Sequence, residues 1–211
     1  MSHKGMTLRE VAFQEIKQKI VNGEWKGGTF LSEKGLSEML NMSKTPIRSA
    51  MDRLEMIGLV KLIPNQGIIV QEMSLKKMME IYELRLSLET YAVKHLTGKM
   101  DADFFHQLDD NLKLQEIAVG KGDIIEFVKL DREFHEIIIA GLDNEEYTEV
   151  MSRLQDKFIL SVRVTFYKNK SRLFGSLEDH KLIRNALAGK DPEKTEKLIY
   201  DHIKYVNKIM L

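Results

Sequence analysis

The sequence predicts a mainly α-helical protein in two parts: a small N-terminal head of short helices closed by a β-hairpin, and an all-α bundle of about six helices behind it. Three observations predict this. Apolar residues recur at helical spacing over almost the whole chain, one pair of β-branched runs flanks a turn cluster at 64–67, and glycine breaks punctuate the chain after residue 73. With 211 residues, 43% of them hydrophobic, the chain has enough apolar surface for two modest cores.

The first helix is expected over Leu8 to Val21, where Val11, Ile16, Ile20 and Val21 share a face and Asn22-Gly23 stops it. Ser32 can cap a short second helix that runs to Asn41, with Leu36, Met39 and Leu40 turned inward. After a tight turn at Asn41-Met42, Ser43 can cap a third helix. Pro46 suits its first turn, Ile47, Ala50, Met51 and Leu54 form its stripe, and Gly58 ends it. Two short helices joined so closely form a helix-turn-helix. The runs 59–63 and 68–70 around the turn make a hairpin, or wing, so the head (1–73) is a winged helix-turn-helix. A junction is expected at 72–74, with Ser74 capping the first helix of the second domain (74–211). Breaks at Gly98, 120–122, 141–144, 169–175 and 189–192 then divide the remainder into six helices.

Composition removes several classes of function. The chain has no cysteine, which excludes disulfides and thiolate zinc sites. No stretch approaches the roughly 20 apolar residues of a membrane span, and a soluble, cytoplasmic protein is expected. Net charge is zero, with ten Lys or Arg against eight Asp or Glu in residues 1–73 and 22 against 24 in the rest. Such a head does not bind polyanions by bulk charge. It can still bind DNA through a few placed cations, with a second subunit doubling the contacts.

The run from Leu36 to Val60, centred on Ser43-Lys44-Thr45-Pro46-Ile47-Arg48, resembles the GntR family signature, whose usual centre is Ser-Arg-Thr-Pro-Val-Arg. The resemblance covers most of residues 8–71 and implies a transcription regulator, most often a repressor, that binds a palindromic operator in double-stranded DNA as a homodimer. The residues it points to are Lys34, Lys44, Thr45, Arg48 and Gly67. Their chemistry agrees with this. Lys44, Thr45 and Arg48 stand at the helix end that enters the major groove, where free N–H groups favour phosphate. Arg48 can grip guanine O6 and N7 with two bonds. Lys44 offers a point charge where relatives carry a planar fork, and Gly67 allows the wing backbone a close approach. Arg53 and Lys61 read as solvated charges.

In the second domain, the run 83–89, Asp131-Arg-Glu-Phe134-His135, and Glu178-Asp-His180 followed 22 residues later by His202 resemble the FadR-type C-terminal domain, FCD. Six helices are similar to its shorter, VanR-like branch. The resemblance implies that Asp131, His135, His180 and His202 hold a divalent metal ion, and that Arg85 anchors a small organic acid effector. Asp131 and His135, four apart, share a helical face and can chelate one ion. Three imidazoles and a carboxylate suit zinc or nickel, and also manganese or cobalt. Arg85 can equally pair with Glu89, its i+4 neighbour. Arg163 and Tyr167 are further candidates for the cavity lining. Two other readings compete with a ligand-responsive regulator. In one the metal is structural or is itself the signal, with no organic effector. In the other the bundle is a metal-dependent hydrolase, for which no residue stands out as general base.

Overall fold

A computed structural model describes residues 5–64, 66–169 and 171–210; within it, nothing is described of the side chains of 155, 156, 158–165, 167, 168 and 206–210, which include Arg163 and Tyr167. The chain divides into two compact units, 1–73 and 74–211. No described helix is long and apolar enough to cross a membrane.

The head contains α1 (Leu8–Val21), β1 (Phe30–Leu31), α2 (Glu33–Leu40), α3 (Lys44–Met56), β2 (Val60–Ile63) and β3 (Gly67–Val70). Its core forms where Ala12, Phe13, Ile16 and Ile20 of α1 meet Ile47, Ala50, Met51 and Leu54 of α3, all buried. Arg53 is not merely solvated. It pairs with Glu10 at 2.5 Å and lies over the Phe13 ring, joining α3 to α1 across the outside of this core. The Ser32 hydroxyl accepts from the Gly35 N–H to start α2, and Asn41, at φ 51°, ends it in the left-handed conformation that asparagine tolerates. Met39, expected inward, is 45% exposed; of the eight residues of α2 only Leu36 is buried, since so short a helix offers the core little more than one anchor.

The hairpin of β2 and β3 is joined by a strand the periodicity did not signal. β1 pairs with β3, giving an antiparallel sheet of order β1-β3-β2 with Phe30 opposite Ile69 and Ile63 opposite Gly67. Gly67 has φ +137°, and a Cβ there would lie 2.5 Å from Phe30 Cζ and 2.8 Å from the Leu31 carbonyl oxygen. The fold itself therefore demands glycine at the wing. Gly67→Ala is expected to destabilise the protein by about 1 to 3 kcal/mol. Urea unfolding measures this, and a loss below about 0.5 kcal/mol would mean that the wing backbone relaxes around the methyl group.

The described residues of the second unit form six helices, α4 (Leu75–Leu96), α5 (Ala102–Lys121), α6 (Ile124–Ala140), α7 (Glu145–Lys168), α8 (Arg172–Leu187) and α9 (Pro192–Met210). Ser74, Asp101 and Asp123 cap α4, α5 and α6 through side-chain oxygens, and Gly122 closes α5 in the left-handed conformation. Helix α4 packs along α9, α5 against α6 and α8, and α6 against α7. Phe127, Val128, Leu130, Phe134, Ile138 and Ile139 of α6 are all buried. The same buried face carries two polar residues, Asp131 and His135, inside the bundle, while Glu126 and Glu133 stay exposed.

Candidate functional site

Asp131 and His135 stand one turn apart on α6, His180 on α8 and His202 on α9. The bundle brings all four together, buried, with one potential ligand atom from each lying within 4.8 Å of the others. His180 Nε2 is 3.3 Å from His202 Nε2 and 3.5 Å from Asp131 Oδ1. The Phe134 ring stacks on His180 with centroids 4.3 Å apart and fixes its plane.

Each imidazole turns its Nδ1 to a different acceptor around the quartet. His135 Nδ1 lies 2.5 Å from Glu89 Oε2, His180 Nδ1 2.8 Å from Gln115 Oε1, and His202 Nδ1 3.2 Å from Asp179 Oδ2. His202 Nδ1 lies 3.2 Å from both the acceptor Asp179 Oδ2 and the donor Arg172 Nη2. A carboxylate only accepts, so His135, against Glu89, carries its proton on Nδ1 and presents an Nε2 lone pair. This is the arrangement of metal-ligating histidines, whose second nitrogen donates to an outer partner. Asp131 adds an acceptor whose own hydrogen bond, from Ser176 Oγ, is a long 3.3 Å. Lone pairs converging in a buried space repel unless an electrophile sits among them. The donor set therefore fits a divalent cation.

Electrostatics supports the same conclusion. Burial lowers the pKa of His135, His180 and His202 below the ordinary imidazole value, and for His180 the neighbouring imidazoles add to this. The rings are thus neutral and ready to coordinate at pH 7, and protons compete with a cation only at lower pH. Burial pushes the Asp131 carboxyl up, a cost that a bound cation would remove. Glu89 behaves differently. Its burial would raise it, but the Arg85 guanidinium and then the His135 ring beside it hold it down to about 2.

Arg85 is itself buried, and its Nε donates to Glu89 Oε1 at 2.6 Å. The pairing with Glu89 is the arrangement formed in this structure. A second guanidinium, Arg172, donates to Asp179 Oδ2 at 2.7 Å, stands 3.2 Å from His202 Nδ1 and covers the Tyr205 ring. Together with Gly175, Asp179, His202 and Tyr205 it lines a cavity of about 520 Å³ on the α8 and α9 side, where His202 is the member of the quartet in the wall. Sequence reasoning missed Arg172, Asp179, Asn111 and Gln115. For the last two a signal existed, since they interrupt the inward stripe of α5 between Leu108, Leu112 and Ala118.

In the head, Lys44, Thr45 and Arg48 are exposed on the first turns of α3 and line one concavity of about 370 Å³ with Ser49, Asp52 and Arg9, a cation on α1 that the sequence did not single out. Ser43 makes no side-chain bond to α3, so its first-turn N–H groups carry no side-chain cap. Glu33 of α2 grips Arg48 by two bonds, from Nε at 2.9 Å and Nη2 at 2.8 Å, and so aims the guanidinium. Lys34 stands exposed on the first turn of α2, 3.8 Å from Glu38. Gly67 lies at the start of β3, at the wing turn.

Against this geometry, comparison with known proteins is consistent over both units. Residues 8–70 match the model of the bacterial regulatory proteins of the gntR family, and residues 80–205 that of the FCD domain. The gluconate operon transcriptional repressor of Bacillus subtilis (strain 168) is 31% identical over 193 residues, covering 89% of this chain and 78% of that protein. The HTH-type transcriptional regulator YdhC of the same organism is 27% identical over 194 residues, covering 92% of this chain and 86% of its own length. Among solved structures, McbR/YncC of Escherichia coli shares the fold with a TM-score of 0.81 at 24% identity, over 97% of both chains.

Proposed function

Because the chain belongs to the GntR family of bacterial regulatory proteins and carries an FCD domain, we propose that it is a transcriptional repressor that binds DNA through residues 1–73 and senses a small carboxylate at a divalent metal held by residues 74–211. Its relatives are regulators and not enzymes, and the hydrolase reading falls with that. The observation that carries the sensing half is the buried quartet of Asp131, His135, His180 and His202. When bound, a metal ion would supply a Lewis-acidic anchor for a carboxylate oxygen.

Charge supports a carboxylate ligand. Asp131, Glu89 and Asp179 bring three negative charges to the centre and Arg85 and Arg172 two positive ones. A divalent ion would leave one net positive charge in a buried space, which a monoanion would cancel. The cavity beside His202 and Arg172 gives such a ligand a path, and this favours an organic effector over a purely structural metal. The six helices described in the second unit support assignment to the VanR-like branch. In a homodimer on a palindromic operator, an effector that prefers one arrangement of the two heads would shift the population away from the spacing the half-sites require.

In the head, α3 enters the major groove with Arg48 on a base edge, Lys44, Thr45 and Lys34 on phosphates, and the Gly67 wing beside the minor groove. The test selects binding sites from a pool of random duplex DNA with the wild type, then titrates the selected duplex. Arg48→Ala is expected to weaken binding by about 1 to 3 kcal/mol per half-site, about 5- to 150-fold, and to relax the preference at one base position. Unchanged affinity and preference would remove Arg48 from the reading set, and a pool that shows no enrichment would overturn the regulator reading. Elemental analysis of the purified protein, with thermal shifts in the presence of small carboxylates, tests the second unit, since a ligand that favours the native state raises its melting temperature.

A further inference from the structure

His135 has the Glu89 carboxylate behind its Nδ1, which settles where its proton sits. Gln115, behind His180, is a side-chain amide and could present either its oxygen or its NH2 group. The choice has consequences. With NH2 toward the ring, the proton of His180 would sit on Nε2, where Oδ1 of Asp131 at 3.5 Å accepts. That tautomer would satisfy itself within the quartet and block a coordination position.

The geometry points to a one-directional hydrogen-bond relay, from the Leu130 carbonyl through Asn111 and Gln115, that fixes His180 as its Nδ1–H tautomer and keeps Nε2 open to a cation. The inference rests on the metal reading above. The relay takes its direction from its far end. The Leu130 carbonyl can only accept, so Asn111 turns its Nδ2 to it at 3.1 Å. Asn111 Oδ1 then faces α5, where it accepts from Gln115 Nε2 at 2.7 Å, one turn away. Gln115 Oε1 is left facing His180 Nδ1 at 2.8 Å. Turning over either amide would set donor against donor or acceptor against acceptor. Asn111, Gln115 and His180 are all buried, so solvent offers them no substitute partner. Leu130 precedes the ligand Asp131, so α6 supplies both a ligand and the fixed point that orients a ligand on α8. Asn111 and Gln115 are positioning residues: Gln115 bonds to the ligand His180, and Asn111 acts through Gln115.

The experiment reads the tautomer directly, in metal-free protein carrying 15N-histidine, with the His180 signals assigned by their loss in His180→Gln. In the wild type, Nδ1 is expected as the protonated, pyrrole-type nitrogen of His180 and Nε2 as the bare, pyridine-type one. In Gln115→Leu the proton should move to Nε2, and zinc affinity should fall about 10- to 100-fold with helical circular dichroism unchanged. Gln115→Glu, an obligate acceptor, should keep the wild-type tautomer, a rescue that a packing role would not produce. Asn111→Ala should give a mixture of tautomers and a smaller loss of affinity, which keeps the proposal testable if Gln115→Leu does not fold. An Nε2–H tautomer in the wild type, or unchanged tautomer and zinc affinity in the Leu and Ala variants, overturns the relay. A wild type that binds no zinc while its tautomer responds as expected overturns the metal reading and leaves the relay standing.

Discussion

Replacing His135 and His180 together by alanine is expected to abolish metal binding outright, so that purified wild-type protein carries an ion and the double variant carries none. The two rings come from different helices, α6 and α8, and their loss leaves Asp131 and His202 as the only members of the quartet. Loss of one outer partner of a ligand already costs roughly 10- to 100-fold in affinity, and removal of two ligands costs more than that. A second readout separates this from misfolding. Added zinc should raise the melting temperature of the metal-free wild type and leave that of the variant where it was, because only a state that binds the ion is stabilised by it. The alanines open cavities and take the imidazole partners from Glu89 Oε2 and Gln115 Oε1, so the comparison is made on variant protein whose helical circular dichroism matches the wild type. Elemental analysis that finds the ion fully retained in a folded double variant would overturn the assignment.

How much of this could be read from the residues depends on how local each signal is. The Asp131 and His135 pair announces itself, because a spacing of four sets both on one helical face. The buried stripe of α3 is visible for the same reason. His180 and His202 lie on separate helices and were reached only through resemblance to a family pattern. The outer partners are less legible still. Gln115 meets His180 across 65 positions and Glu33 meets Arg48 across 15, and no periodicity encodes a contact between elements. Strand β1 is two residues long, too short to alternate, and is defined by its pairing with β3. Gly67 was legible as glycine but not for its full reason, since the nearby Phe30 ring and Leu31 carbonyl belong to that unsignalled strand. Arg85 and Glu89 are the instructive case. Their i+4 spacing announces a pair, while their burial, which makes the pair energetically decisive, follows only from the way the bundle packs around α4.

That burial sets the scale of the other large effect. Glu89 is fully buried between Arg85 and His135, 2.6 Å from the Nε of one and 2.5 Å from the Nδ1 of the other. Glu89→Gln keeps the shape and removes the charge, which leaves a buried guanidinium without its counter-ion. Breaking a buried pair from one side costs about 3 to 5 kcal/mol, a large part of the roughly 5 to 15 kcal/mol that holds a typical domain together. Urea unfolding of the metal-free protein at pH 7 should show this loss, whereas Arg85→Met combined with Glu89→Leu, which removes both charges, should lose less than Glu89→Gln alone. The dependence on pH identifies the cause. The carboxyl of Glu89 is lowered from 4.5 to about 2, so the stability it contributes is present in full above 4.5 and drains away as the pH falls from there toward 2. Over that window the wild type protonates Glu89 and comes to resemble the glutamine variant, and the gap between the two should close. A gap that stays constant from pH 7 to pH 3, or one below about 1 kcal/mol at pH 7, would mean that Glu89 holds the centre by shape and not by charge.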